Sequence, residues 1–194
     1  VQVLDDFEVT PSGLNVRGFG GANTTVVLGD GLEPERKANE RLPFVMQRRT
    51  AQETTFMTLL EPMSDTVNIQ QAMTLTTNAP NDAIALQVDH LNFTEQVFAT
   101  PYGGTYRAMA YTFGTAACDG VLCAVREDAM GNLSRLVLAG GTSLADNGQQ
   151  LLLADALLEI QVDYVGATLE IVTMEPLTGQ LMIYAPSATT VLLN

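Results

Sequence analysis

LLEIQVDY, residues 157–164, is the stretch whose reading decides the fold class. Leu158, Ile160, Val162 and Tyr164 alternate with Glu159, Gln161 and Asp163. Successive Cβ atoms of a strand point to opposite sides, so this period of two describes a strand with one dry and one wet face. A second β-rich run, residues 168–174, follows Val165-Gly166 and completes a strand pair.

The same texture extends outward through the chain. With 17 Val, 5 Ile and 22 Thr, the composition favours residues that suit a pleated, half-buried surface. Turn residues separate the runs at intervals of about 8–12 residues, the spacing of sandwiches and barrels. Residues 1–9 and 14–19 flank Pro11-Ser12-Gly13, and residues 24–28 follow the glycine-rich segment at 18–21. Residues 44–49 and 54–60 form another pair, then 83–89, 94–99 and 106–113 read as successive strands. Residues 121–128 and 133–139 flank Ala129-Met130-Gly131-Asn132 as a hairpin, and residues 180–185 and 189–193 finish the chain. The polar residues 29–41 read as a loop. QQLLLADALL, residues 149–158, is the one competitor for a short helix, having good helix formers and no breaker.

Beyond Pro62 the sequence turns polar and loses its period until residues 73–77. This places a division between residues 1–62, a sheet segment, and residues 63–194, a second sandwich. The expected architecture is all-β, an antiparallel β-sandwich of jelly-roll-like character with two stacked sheet sub-domains.

At 194 residues the chain is long enough for one sizeable core or two small ones. Its 46% apolar content excludes disorder and, with only 16% charged residues, is consistent with a surface partly covered by more chain. The net charge of −13 argues against nucleic acid, which demands clustered Lys and Arg. No stretch reaches the roughly eighteen apolar residues of a membrane helix, so no membrane partner is expected. The N-terminal VQVLDD has neither an initiator Met nor a signal-like pattern, which suggests a piece of a longer chain.

No complete catalytic constellation is legible. His90, the one histidine, follows a predicted strand without a neighbouring nucleophile. No GxSxG, P-loop or HExxH pattern is present. Calcium has no DxDxDG loop, and one His with two Cys makes no zinc site, so neither a metal nor a cofactor is expected. Gly18, Gly20 and Gly21 superficially match a phosphate loop, but without a following helix a bulge or turn is the better reading.

Cys118 and Cys123 leave two alternatives open. If Asp119-Gly120 is a two-residue turn, Cys118 faces Val121 and both cysteines are buried free thiols. A disulfide needs a longer connection to bring the sulfurs together. Arg36, Lys37, Arg41, Arg48 and Arg49 supply five of the nine cationic residues. They read as a solvated loop and strand face, or as a patch for a carboxylate- or sulfate-bearing polysaccharide. Adjacent on a strand, Arg48 and Arg49 point to opposite faces, so at most one reaches a given ligand. With no Trp, a sugar platform is disfavoured, but Tyr102 on the 101–104 loop is a further candidate contact.

LPFVMQRRTAQETTFMTLLEP, residues 42–62, resembles a segment of heparinase II/III-like polysaccharide lyases: a strand ending in Arg, a turn, and a strand ending in Leu-Glu-Pro. CAVREDAMGNLSRLVLAGGTSL, residues 123–144, is similar to a later hairpin of that family, with its Asp-x-x-Gly turn and Gly-Thr-x-Leu strand. The resemblance implies a C-terminal β-sandwich region that packs on an α/α toroid of the same parent chain, outside the cytoplasm in a secreted or periplasmic protein. The toroid and the early first sheet domain would carry the β-elimination residues, so no catalytic residue is assigned here. Arg48 or Arg49 would occupy the family's Arg position. A glycan-binding module and a purely structural exported β domain are the alternatives.

Overall fold

A computed structural model of the chain describes residues 2–3, 6–9, 14–19, 23–32, 41–52, 54–62, 68–79, 83–100 and 110–193. Strands dominate them, and there is no helix among the described residues. The chain divides into two compact units, Val1–Val67 and Asn68–Asn194.

The first unit holds two three-stranded antiparallel sheets. One has the order β1 (Gln2–Val3), β4 (Thr24–Leu32), β5 (Arg41–Arg49), and the other β2 (Asp6–Val9), β3 (Leu14–Phe19), β6 (Met57–Pro62). Val16, Phe19 and Val26 are its buried apolar residues among those described. The loop expected over residues 29–41 is shorter than its composition indicates, because Gly29 to Leu32 continue β4 and pair with Phe44 to Arg41. Backbone pairing overrides the polar composition at this sheet edge.

The second unit is one eleven-stranded sheet folded over on itself. β7 (Ile69–Thr74), β8 (Ile84–His90) and β9 (Phe93–Ala99) lead to β12 (Leu122–Asp128), β13 (Leu133–Asp146), β14 (Gln149–Val165), β15 (Thr168–Thr173) and β17 (Thr190–Leu193). β10 (Tyr111–Phe113), β11 (Ala116–Cys118) and β16 (Leu181–Ile183) lie off this path. The long strands β13 and β14 serve both leaves. Leu136 and Leu138 pair with Val125 and Cys123 of β12, whereas Leu144 and Asp146 pair with Cys118 and Ala116 of β11.

Phe98 of β9 stacks on Tyr111 and Phe113 of β10, with ring centroids 5.1 and 5.3 Å apart, so the two leaves face each other across a dry interior. Phe98, Phe113, Leu136, Leu138, Leu144, Leu152 and Val162 are essentially inaccessible to water. Burial of each large side chain contributes roughly 2–3 kcal/mol against the entropy of ordering the chain.

The deciding stretch behaves as its period demands: Leu158, Ile160 and Val162 are buried, and Glu159 is exposed. The helix competitor at residues 149–158 is strand. Its first part pairs with β13 and β16, and residues 154–157 fall between the paired positions Leu153↔Ser143 and Leu158↔Gly141. These extra residues take β14 around the outside of the bend. On β13 the register shifts at Gly141, and Gly140 has φ of +65°. A Cβ on Gly141 would sit 2.6 Å from the Gly120 Cα, so only glycine admits the two backbones here.

The cysteines form a disulfide, with Cα atoms 6.7 Å apart. The hairpin geometry that separates them does not apply, because β11 and β12 both run antiparallel to β13, one on each leaf. Residues 119–121 are a corner between leaves, where the Asp119 N–H donates to the Ser143 carbonyl and the Val121 N–H to the Ala139 carbonyl. Cys118 and Cys123 both face the interior of that corner, 1% and 0% exposed, and their sulfurs meet there.

Candidate functional site

The cationic segment is built on β5. Along it Phe44, Met46 and Arg48 are exposed, while Val45, Gln47 and Arg49 are half-buried. The alternation separates the two arginines onto opposite faces, as strand geometry requires. Arg49 is committed to its own unit: its Nε donates to Thr24 Oγ1 at 2.9 Å and its Nη1 to Thr54 Oγ1 at 2.7 Å. Its guanidinium carbon also lies 5.2 Å from the Phe56 ring centroid, a cation–π distance. These contacts engage Nε and Nη1, while Nη2 is buried without a hydrogen-bond partner among the described residues. Arg48 keeps its side chain in solvent, opposite Thr25 in the register.

Arg41 opens β5, and its side chain lies outside the described residues, as do Arg36, Lys37 and Tyr102. Of the five cations only Arg48 and Arg49 have described side chains, and strand alternation puts those two on opposite faces of β5. Tyr111 is buried against Phe98. His90 is stacked on Phe93, with centroids 4.0 Å apart, and its Nδ1 is 3.1 Å from Asn68 Nδ2. Among the described residues no group of three or more His, Cys, Asp or Glu is placed to hold a metal ion.

A second candidate place is the cleft of about 510 Å³ at one end of the second unit. The turn joining β12 to β13, the turn joining β14 to β15 and the segment between β16 and β17 surround it. Asp128 organises the first of these. Its Oδ1 accepts from the N–H of Met130 at 2.8 Å and of Asn132 at 2.9 Å, and its Oδ2 from Asn132 Nδ2 at 3.1 Å. The Asn132 backbone and side-chain donors hold the carboxyl below the usual carboxylate range. Gly131, with φ of +80°, supplies the left-handed residue of the turn. On the other wall, Tyr164 donates its hydroxyl to the Tyr184 carbonyl at 2.5 Å. Burial, and then the neighbouring Tyr184, pushes the Tyr164 phenol up to about 12.

Sequence reasoning does not find this cleft: Asp128 ends β12, Tyr164 lies near the end of β14 and Tyr184 follows β16, and no spacing links them. The 129–132 turn and the Val165-Gly166 turn are the parts of it that are legible beforehand.

The residues carrying the lyase resemblance have structural roles. Asp128 and Gly131 make the hairpin turn, while Gly140 and Gly141 make the bend. Thr142 gives its N–H and hydroxyl to the Asp119 carboxylate, which also accepts the Ser143 N–H at 2.8 Å. No protein-family model matches the chain, and comparison with curated proteins finds no relative.

Proposed function

We propose that this chain is the non-catalytic β-sandwich portion of a secreted heparinase II/III-like polysaccharide lyase, supporting its fold and its substrate cleft. An α/α toroid of the parent protein carries the β-elimination on uronic-acid polysaccharide, and Arg48 meets the polyanion at the rim. The observation that carries this reading is the outward row Phe44, Met46 and Arg48 on β5. Phe44 and Met46 are 42% and 47% exposed, which suits a face covered by further protein, and the row ends in a guanidinium able to bind a carboxylate bidentately.

Two features support it. Residues 42–62 form a strand, a connection and a strand ending at Leu60-Glu61-Pro62, the pattern on which the resemblance rests. The Cys118–Cys123 disulfide suits an oxidising compartment outside the cytoplasm.

The test incubates the chain alone with heparin, alginate and chondroitin and follows the ultraviolet absorbance of unsaturated uronate. No product is expected, whereas sustained turnover by the chain alone overturns the non-catalytic reading. In parallel, calorimetry with oligouronates should show Arg48→Ala weakening binding by about tenfold, the worth of one charge-assisted contact. An unchanged affinity removes Arg48 from the proposal.

A further inference from the structure

The hairpin-end cleft of the second unit has a chemistry unlike that of the Arg48 face. Among the described residues its one charged lining residue is the Asp128 carboxylate, and the rest of their polar lining is hydroxyl and amide: Asn132, Tyr164, Thr168, Tyr184 and Ser187. Asp128 spends Oδ1 on the turn, with bonds from Met130 N, Asn132 N and Asn132 Nδ2. Oδ2 receives only Asn132 Nδ2 in the described contacts, which leaves lone-pair capacity on that oxygen. The carboxyl stays ionised because backbone and amide donors of Asn132 stabilise the charged form. Tyr184 is 38% exposed, so part of its surface is open to a ligand, while Tyr164 is fixed by its bond to the Tyr184 carbonyl. Gly131 and Gly166 bound the cleft, and a Cβ on either would meet nothing within 4 Å, so nothing crowds the space beside these two turns.

An ionised carboxylate is a strong acceptor for sugar hydroxyls and repels another carboxylate or a sulfate, and the chain's net charge of −13 adds to that repulsion. Tyrosine surface beside hydroxyl and amide groups matches the mixed apolar and polar faces of a pyranose ring. We infer that this cleft binds a neutral pyranose unit of a polysaccharide, with Asp128 and Asn132 taking its hydroxyls and Tyr184 packing against its ring. The site stands on the second unit alone and does not rest on the lyase reading.

The experiment is a ¹H–¹⁵N NMR titration of the full chain with malto-, cello- and manno-oligosaccharides, and with oligoguluronate as the anionic probe. At least one neutral sugar should shift the amides of Gly131, Gly166 and Ala188 with saturation, and oligoguluronate should shift them about tenfold more weakly or not at all. Tyr184→Ala should weaken the neutral sugar by about tenfold. Ser187→Ala, an exposed change that leaves the fold intact, should weaken it by a smaller factor. Three results overturn the inference: no saturable shift with any neutral sugar, tighter binding of oligoguluronate at these amides, or neutral-sugar binding unchanged in both variants.

Discussion

Asp119 anchors the corner of the second unit. Its carboxylate receives the Thr142 N–H and the Ser143 N–H, each at 2.8 Å, and the Thr142 hydroxyl. Asp119→Ala leaves two backbone donors unpaired next to a tightly packed glycine and should cost about 3 kcal/mol, read as a fall in the urea midpoint. Glu127 acts in the opposite sense. Burial, then the negative charges of Asp146 and Asp128, raise its carboxyl above the ordinary 4.5. The fold thus binds the proton more tightly than the unfolded chain does. The stability linked to this residue is fully present below about 4.5 and lost as pH rises through the raised folded value. Glu127→Gln should therefore raise the melting temperature near neutrality and change it little in acid. A variant that melts lower than wild type at neutral pH would contradict the sign.

At the scale of elements, the bend is shared unequally between strands. β13 passes inside it with Gly140 and Gly141, where backbone meets backbone, whereas β14 passes outside with its additional residues 154–157. A third strand line, β11 into β12, turns the same corner and is tied across it by Cys118–Cys123. With a sequence separation of 5, the bond closes a short loop, and the chain-entropy account gives it about 2 kcal/mol. Replacing both cysteines by Ala should lower stability by about that amount with the sheet intact, measured by denaturant unfolding and far-ultraviolet circular dichroism. An unchanged midpoint would mean that the buried corner holds without the bond.

At the scale of the whole molecule, the core cluster built on Phe98, Phe113, Leu136, Leu138 and Val162 lies entirely within residues Asn68–Asn194. That unit has its own pair of facing leaves and its own disulfide. Expressed alone, it should unfold in one cooperative urea transition and retain the Tyr111 near-ultraviolet signal, because its large buried rings pack on one another. A gradual, probe-dependent transition would show that the unit does not fold by itself.

Much of the all-β architecture follows from local chemistry that sequence displays. Alternation at residues 157–164, turn residues at 129–132 and at Val165-Gly166, and the opposite facing of Arg48 and Arg49 all express strand geometry over a few residues. The helical composition of residues 149–158 misleads for the complementary reason: propensity is weak beside a strand position paired on both sides. The disulfide, the commitment of Arg49 to Thr24 and Thr54, and the cleft of Asp128 and Tyr184 were decided only by tertiary structure. Each depends on where a sheet bends or on which distant connections meet. Those outcomes are set by backbone approach at Gly141 and Gly120 and by packing across the leaves, neither of which leaves a period or a spacing in the chain.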